Sequence, residues 1–285
     1  MAHPEAQEGA PENRAELIIK PVEGWRAIDF RELWAYRELL YFLVWREIKV
    51  RYKQTVLGAA WAVIQPFFTM VVFSVFFGTL AGVPSDGIPY PIFAYSALLP
   101  WQMFENGINK AGASLVSGRN LLTKVYFPRI TVPLAPILAS FVDFLLAFVV
   151  LIGMMVYYGM RPTSAIWTLP LFLLLTMITA IGVGLWTAAL NVAYRDVGYL
   201  IPFVMRVWFF ITPITYASSI VPEQYRFLYS LNPMVGVVEG FRWAMLGVGN
   251  PPTSIFIGAI VISVILMITG ALYFRRMERT FADVV

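Results

Sequence analysis

The chain has 285 residues, 59% of them hydrophobic and only 13% charged, with a net charge of +4 and a mean hydropathy of +0.70. A soluble domain carries roughly a quarter charged residues, so this composition excludes an ordinary water-soluble globule. Cysteine is absent and the single histidine is His3, which removes disulfides, thiolate nucleophiles, zinc clusters and histidine bases.

In chain order, residues 1–24 are polar, with Glu5, Glu8, Glu12 and Glu16 and no apolar core. They read as a disordered cytosolic tail rather than a cleaved signal. Residues 25–56 predict an amphipathic helix lying in the cytosolic interface. At helical spacing Leu33, Leu40, Val44 and Ile48 share one face, with Arg31, Glu38, Arg46 and Lys49 opposite. Arg37 and Phe42 interrupt the pattern, though long arginines snorkel. Arg37, Arg46, Lys49 and Arg51 are its candidate functional cations, with tryptophan and tyrosine at headgroup depth. A simple anchor on anionic lipid is the plainer alternative.

Apolar runs at 57–80, 132–158, 166–190 and 255–274 are each long enough to cross about 30 Å of hydrocarbon. A run at 199–220 is clear except for Arg206, and one at 91–116 fades at Glu105, Asn106, Asn109 and Lys110. The basic clusters decide the count. Arg26 to Lys53, then Arg119, Lys124 and Arg129, then Arg195, then Arg275, Arg276 and Arg279 all fall on one side only if the faded run also crosses. The expected fold is therefore an all-α integral membrane domain, 57–275, with six spans, both termini cytosolic and a C-terminal tail at 276–285. Basic residues beside spans argue for a membrane surface rather than nucleic acid.

The loop before the last span holds Pro222 and Pro233 and predicts a short periplasmic hairpin of two helices parted near Asn232. The second helix turns Val237, Val238, Phe241 and Met245 toward lipid or protein, and Glu239 and Arg242 are spaced to pair. Asn232, Pro233, Glu239 and Arg242 are candidate gate residues.

No G-x-x-x-x-G-K-[ST] motif occurs, so this chain does not cradle ATP phosphates. Glu105, Asp143 and Arg206 are charges inside spans, functional by default, yet too scattered for a proton relay. Asp86, Glu223 and Glu239 are spread along the external loops and do not make a catalytic constellation. No cofactor, metal site or catalytic residue is expected in this chain.

Four stretches, "RYKQTVLGAAWAVIQP" (51–66), "NLLTKVYFPRITVP" (120–133), "NVAYRDV" (191–197) and "SLNPM" (230–234), together resemble the membrane subunit of ABC exporters of the type 2 family. Within it they are most similar to the branch exporting O-antigen, capsule or teichoic-acid polymers. The resemblance implies a homodimer in the bacterial inner membrane and two separate ATPase subunits that bind ATP and Mg. It also implies a lipid-linked polysaccharide moved from cytosol to periplasm. Gly58, Ala59 and Ala60 suit close helix contact and Pro66 a kink. Pro128 and Pro133 leave 120–127 as a short cytosolic helix. Asn120, Lys124, Phe127 and Arg129 are then candidates for a strut on the ATPase, the alternative being a topology-setting basic loop. In the 191–197 elbow, Asn191 can cap the fourth span. Arg195 and Asp196 either pair, or reach the ATPase and cap the next helix. Aromatic rings stack on sugars, so Tyr95, Trp101, Phe104 and Tyr216, with Glu105 and Asn106, are candidate glycan-path residues; an interfacial aromatic belt is the alternative. A permease for a drug or other lipid, and a membrane enzyme acting on lipid-linked sugars, are the competing functions.

Overall fold

A computed structural model describes residues 30–53, 58–119, 127–249 and 253–279, with residue 281. The expected tail 1–24 and the strut residues Asn120 and Lys124 lie outside the described residues. All regular structure among the described residues is helical.

Helices α1 (Phe30–Ala35) and α2 (Arg37–Lys53) run on through Tyr36, whose N–H donates to Glu32 O at 3.1 Å and whose carbonyl accepts from Leu40 at 3.0 Å. Leu33, Leu40, Val44 and Ile48 lie on the inner side as their spacing predicts, joined by buried Leu43. Trp34, Tyr41, Phe42 and Trp45 stand exposed among Arg37, Arg46 and Lys49. The Arg37 guanidinium lies 5.4 Å from the Trp34 ring and Lys49 Nζ 5.5 Å from Trp45, a basic and aromatic face suited to headgroups.

A 3₁₀ turn (Gly58–Ala60) leads into α3 (Trp61–Phe73), which continues as a π-helix (Ser74–Leu80). Ala59 and Ala60 are exposed and Gly58 is half-buried, so within this chain the two alanines do not make the expected close helix contact. Helix α4 (Tyr90–Ser117) is the run whose apolar character faded. It packs against α3 and against the helices at Thr131–Tyr157, Leu169–Ala193, Val197–Ile211 and Pro233–Leu246, the most enclosed position in the bundle. A helix surrounded by helices needs no uniformly apolar surface, which is why its hydropathy is weak.

Helices α5 (Thr131–Tyr157), α6 (Leu169–Ala193) and α10 (Thr253–Glu278) complete the long elements. Among the described residues, four stretches are long and apolar enough to cross a membrane: Gly58–Leu80, Thr131–Tyr157, Ser164–Ala193 and Ile255–Glu278. A shorter apolar helix, α7 (Val197–Ile211), ends well before the expected 220. Pro213 has no N–H to continue the ladder and Thr212 turns extended at ψ 141°.

Helices α6 and α10 meet backbone to backbone. A Cβ on Gly182 would come within 2.6 Å of Leu266 C and Met267 N, and one on Gly270 would strike Gly182 O. Thr179 and Ser263 share a hydrogen bond of 2.7 Å, and Trp186 stacks on Tyr273 at 4.3 Å. Gly182→Ala is expected to destabilise the protein by about 1–3 kcal/mol through over-packing. Gly153→Ala has open space and should leave thermal unfolding in detergent unchanged. Equal melting of the two variants would contradict this contact.

The last hairpin is α8 (Arg226–Ser230) and α9 (Pro233–Leu246), parted at Asn232 as its sequence predicts. The Asn232 side chain accepts from Met234 N–H at 3.0 Å, an N-cap, and Gly247 closes the helix at φ +69°. Val237, Val238, Phe241 and Met245 are buried, as expected. So are Met234, Val235 and Ala244, because α9 is inserted among α4, α6 and α10 rather than resting on the bundle.

Candidate functional site

A cleft of about 510 Å³ opens between the end of α2 and helices α3, α4 and α5. Gln102, Asn106 and Lys110 recur every fourth residue on α4 and so form one polar stripe along it. Gln65 and Trp61 stand at the α3 side, and Asp143 of α5 faces them with Arg51 and Tyr52 of α2. Arg51 is ion-paired with Asp143, and Tyr52 donates its hydroxyl to the same carboxylate. Arg51 thus leaves the polar face on which the interface-helix cations were expected and turns inward. The reason is Asp143, a carboxylate midway along α5 that needs a cation close by.

At the opposite end, residues 212–217 are not helical and all but Tyr216 are buried, a backbone tolerated inside a membrane protein only if its polar groups are met by protein. Arg242 meets them. Its Nη1 donates to Pro213 O at 2.6 Å, Nη2 to Ile214 O at 2.8 Å and Nε to Phe93 O at 3.2 Å, while its guanidinium lies 3.6 Å over the Phe93 ring. Tyr90 donates to Thr215 O at 2.7 Å, and Asn232 takes part by donating to Thr212 Oγ1 at 3.0 Å and accepting from Trp208 at 2.8 Å. The expected Glu239–Arg242 pair is therefore not formed: two carbonyls of the broken backbone and one from the first turn of α4 fill the guanidinium's three directions. Burial raises the Glu239 carboxyl above its ordinary range and lowers Arg242 to about 9, so the guanidinium keeps its charge at neutral pH.

The elbow between α6 and α7 differs in detail from its sequence reading. Asn191 is buried and, instead of capping α6, donates across to Gly112 O of α4 at 2.8 Å. Asp196 makes no side-chain cap on α7. The turn is held by backbone bonds, Val197 N–H to Tyr194 O at 3.1 Å and Gly198 N–H to Arg195 O at 3.3 Å. Tyr194, Arg195 and Asp196 stand exposed. Of the strut, Phe127 is buried and Arg129 donates to Glu278 O at 2.7 Å, capping the last turn of α10. Arg275 there bridges Glu278 at 3.0 Å and Glu32 of α1 at 3.4 Å. The interface helix, the segment before α5 and the end of α10 are thereby joined.

The aromatic candidates mostly fall in the core. Tyr95, Trp101 and Phe104 are buried, with Tyr95 donating to Ala147 O at 3.1 Å. They offer no surface to a passing sugar, because α4 is enclosed by other helices. Glu105 accepts from Trp101 Nε1 at 2.9 Å. Tyr216, partly exposed, donates to Ile211 O at 3.1 Å. Asn106 lines the cleft. Sequence reasoning missed the cleft's Gln102 and Lys110 and the carbonyl trap at Arg242; the i, i+4 recurrence of Gln102, Asn106 and Lys110 within an otherwise apolar run was the available signal for the first.

Long apolar helices, a buried broken backbone and a charged cleft define a polytopic membrane protein with a polar interior. The ABC-2 type transporter family model matches residues 38–246, and the chain belongs to that family as a transporter membrane subunit. It is 28% identical over 256 residues to the O-antigen export system permease protein RfbA of Myxococcus xanthus, covering 89% of this chain and 97% of that one. It is 28% identical over 250 residues to an RfbA of Klebsiella pneumoniae, covering 87% and 95%. The polysialic acid transport protein KpsM of Escherichia coli is 27% identical over 239 residues, covering 82% and 91%.

Proposed function

We propose that this chain is the membrane-spanning subunit of an ATP-driven exporter that carries a lipid-linked polysaccharide from the cytosol across the bacterial inner membrane. It works as a homodimer with two ATPase subunits, which bind the ATP and Mg. The observation that carries this reading is similarity along nearly the whole chain to permeases for O-antigen and polysialic acid.

Six spans follow if α4 and α7 both cross. Helix α4 has 28 residues, about 42 Å at 1.5 Å per residue. The spans then alternate, with α1, α2 and both termini on the cytosolic side and the α8–α9 hairpin on the periplasmic side. Helix α7 exposes Tyr199, Phe203, Val207 and Phe210, and Arg206 stands exposed among them. A charge at that depth does not face hydrocarbon. It faces a water-filled path between two copies, which supports a half-pore in each subunit. Helix α9, wedged between α4, α6 and α10, acts as the outer gate.

On the cytosolic side, closure of the ATPases pushes on the exposed elbow, and the network Arg129–Glu278–Arg275–Glu32 carries the movement to the interface helix. Mass spectrometry of the tagged protein, gently solubilised, tests the reading: an ATPase subunit in equal amount is expected. A clean homodimer without a nucleotide-binding partner would sink it. Arg195 is exposed and outside any cap, so Arg195→Glu should leave thermal unfolding unchanged while lowering ATPase recovery and polymer export about tenfold. Normal recovery and export in that variant would remove the elbow from the contact.

A further inference from the structure

We infer that the cleft between α2, α3, α4 and α5 is a binding site for the phosphate group of a membrane lipid, with Lys110 as its principal ligand. Three charged side chains line it: Arg51, Lys110 and Asp143. Asp143 is taken by Arg51 and Tyr52. Glu47, another carboxylate whose charge acts on Lys110, is held by Arg46 at 3.2 Å. Lys110 makes no hydrogen bond or ion pair among the described residues. A lysine within a helix of this kind needs an anion or water, and the cleft around it is large enough for a headgroup.

The rest of the lining suits a phosphate ester. Gln65, Gln102 and Asn106 supply amide donors beside the ammonium, which binds phosphate as a point charge. The mouth lies on the α3 side, where Trp61 is 55% exposed and Gln65 is exposed, so a headgroup enters sideways. Beyond them α3 exposes Phe68, Val71 and Val72, apolar surface along which an acyl or prenyl tail stays in hydrocarbon. Lys110 is seven residues from the end of α4, about 10 Å along the axis, the depth at which a lipid phosphate rests with modest insertion.

Only the naming of the lipid rests on the export reading: if it holds, the lipid is the phosphate-bearing carrier of the glycan, for which a long-chain polyprenyl diphosphate serves as the probe. Native mass spectrometry of the purified protein with its co-purifying partners, titrated separately with a long-chain polyprenyl diphosphate and with phosphatidylglycerol, tests the site. Lys110→Met removes a charge from the bundle and is not expected to unfold it. It should lose roughly tenfold in retention of a phosphate lipid, the worth of one charge-assisted hydrogen bond, and Lys110→Arg should restore it. Selective loss of the polyprenyl diphosphate identifies the carrier as the occupant, and selective loss of phosphatidylglycerol identifies bulk lipid. Unchanged retention of both overturns the site. Export is scored separately as surface polymer in cells: a wild-type chain that exports none refutes the exporter reading and leaves the binding result standing.

Discussion

Replacing Arg242 by methionine is expected to be the most damaging single change in the outer half of the protein. The guanidinium donates to three carbonyls, Phe93, Pro213 and Ile214, and lies against the Phe93 ring. Methionine fills much of the volume but donates nothing. The Phe93 carbonyl keeps the Ser96 hydroxyl at 2.9 Å, but those of Pro213 and Ile214 lose their donor at about 1–3 kcal/mol each, a large share of the stability of many domains. Lysine keeps the charge but lacks the planar fork that reaches three acceptors at once. Arg242→Lys should therefore recover only part of the loss. The measurement is thermal unfolding in detergent followed by size-exclusion recovery. Wild-type melting of Arg242→Met would show that the 212–217 backbone finds its donors elsewhere. Glu239→Gln provides the contrast: Arg242 does not depend on Glu239 for its bonds, so that variant should melt near wild type.

The second large effect is expected at Asp143. Asparagine there leaves Arg51 charged in a position only 18% exposed and Tyr52 with a weaker acceptor. Removing one partner of a buried ion pair costs about 3–5 kcal/mol, whereas replacing both by apolar groups is often nearly neutral. Asp143→Asn should therefore lower stability and release the end of α2 from α5. Arg51→Met combined with Asp143→Leu should recover most of the stability. A double-mutant cycle on the unfolding midpoint, with surface polymer measured in parallel, separates the effects. Recovered stability with lost export would assign the pair a working role. Additive losses in the cycle would mean that the two residues are not coupled.

These two sites share a cause. A membrane bundle has little water to satisfy stray polar groups, so each charge or broken backbone must find a protein partner. Arg51 with Asp143, and Arg242 with the carbonyls after α7, are two solutions at opposite ends of the molecule. Lys110 is a charge to which the described residues give no hydrogen bond or ion pair.

Much of the architecture was legible in the residues because it depends on local sums and local periods. The length of apolar runs predicts the four stretches that, among the described residues, are long and apolar enough to cross a membrane. The spacing of Leu33, Leu40, Val44 and Ile48 predicts the inner face of α2, and Asn232–Pro233 predicts the break in the hairpin. What only the tertiary structure decided were the partners of polar groups far apart in the chain. Tyr52 and Asp143 are 91 residues apart, and Arg242 and Phe93 are 149 apart. Periodicity sees one helix at a time, so it offered Glu239 as the neighbour of Arg242 and Asp196 as a cap. It also offered Tyr95, Trp101 and Phe104 as a wall. The enclosure of α4 by its neighbours buried those three rings, and the broken backbone after α7 drew Arg242 away from Glu239. Which helices touch determines where a charge finds its partner, and that contact pattern is a property of the folded bundle.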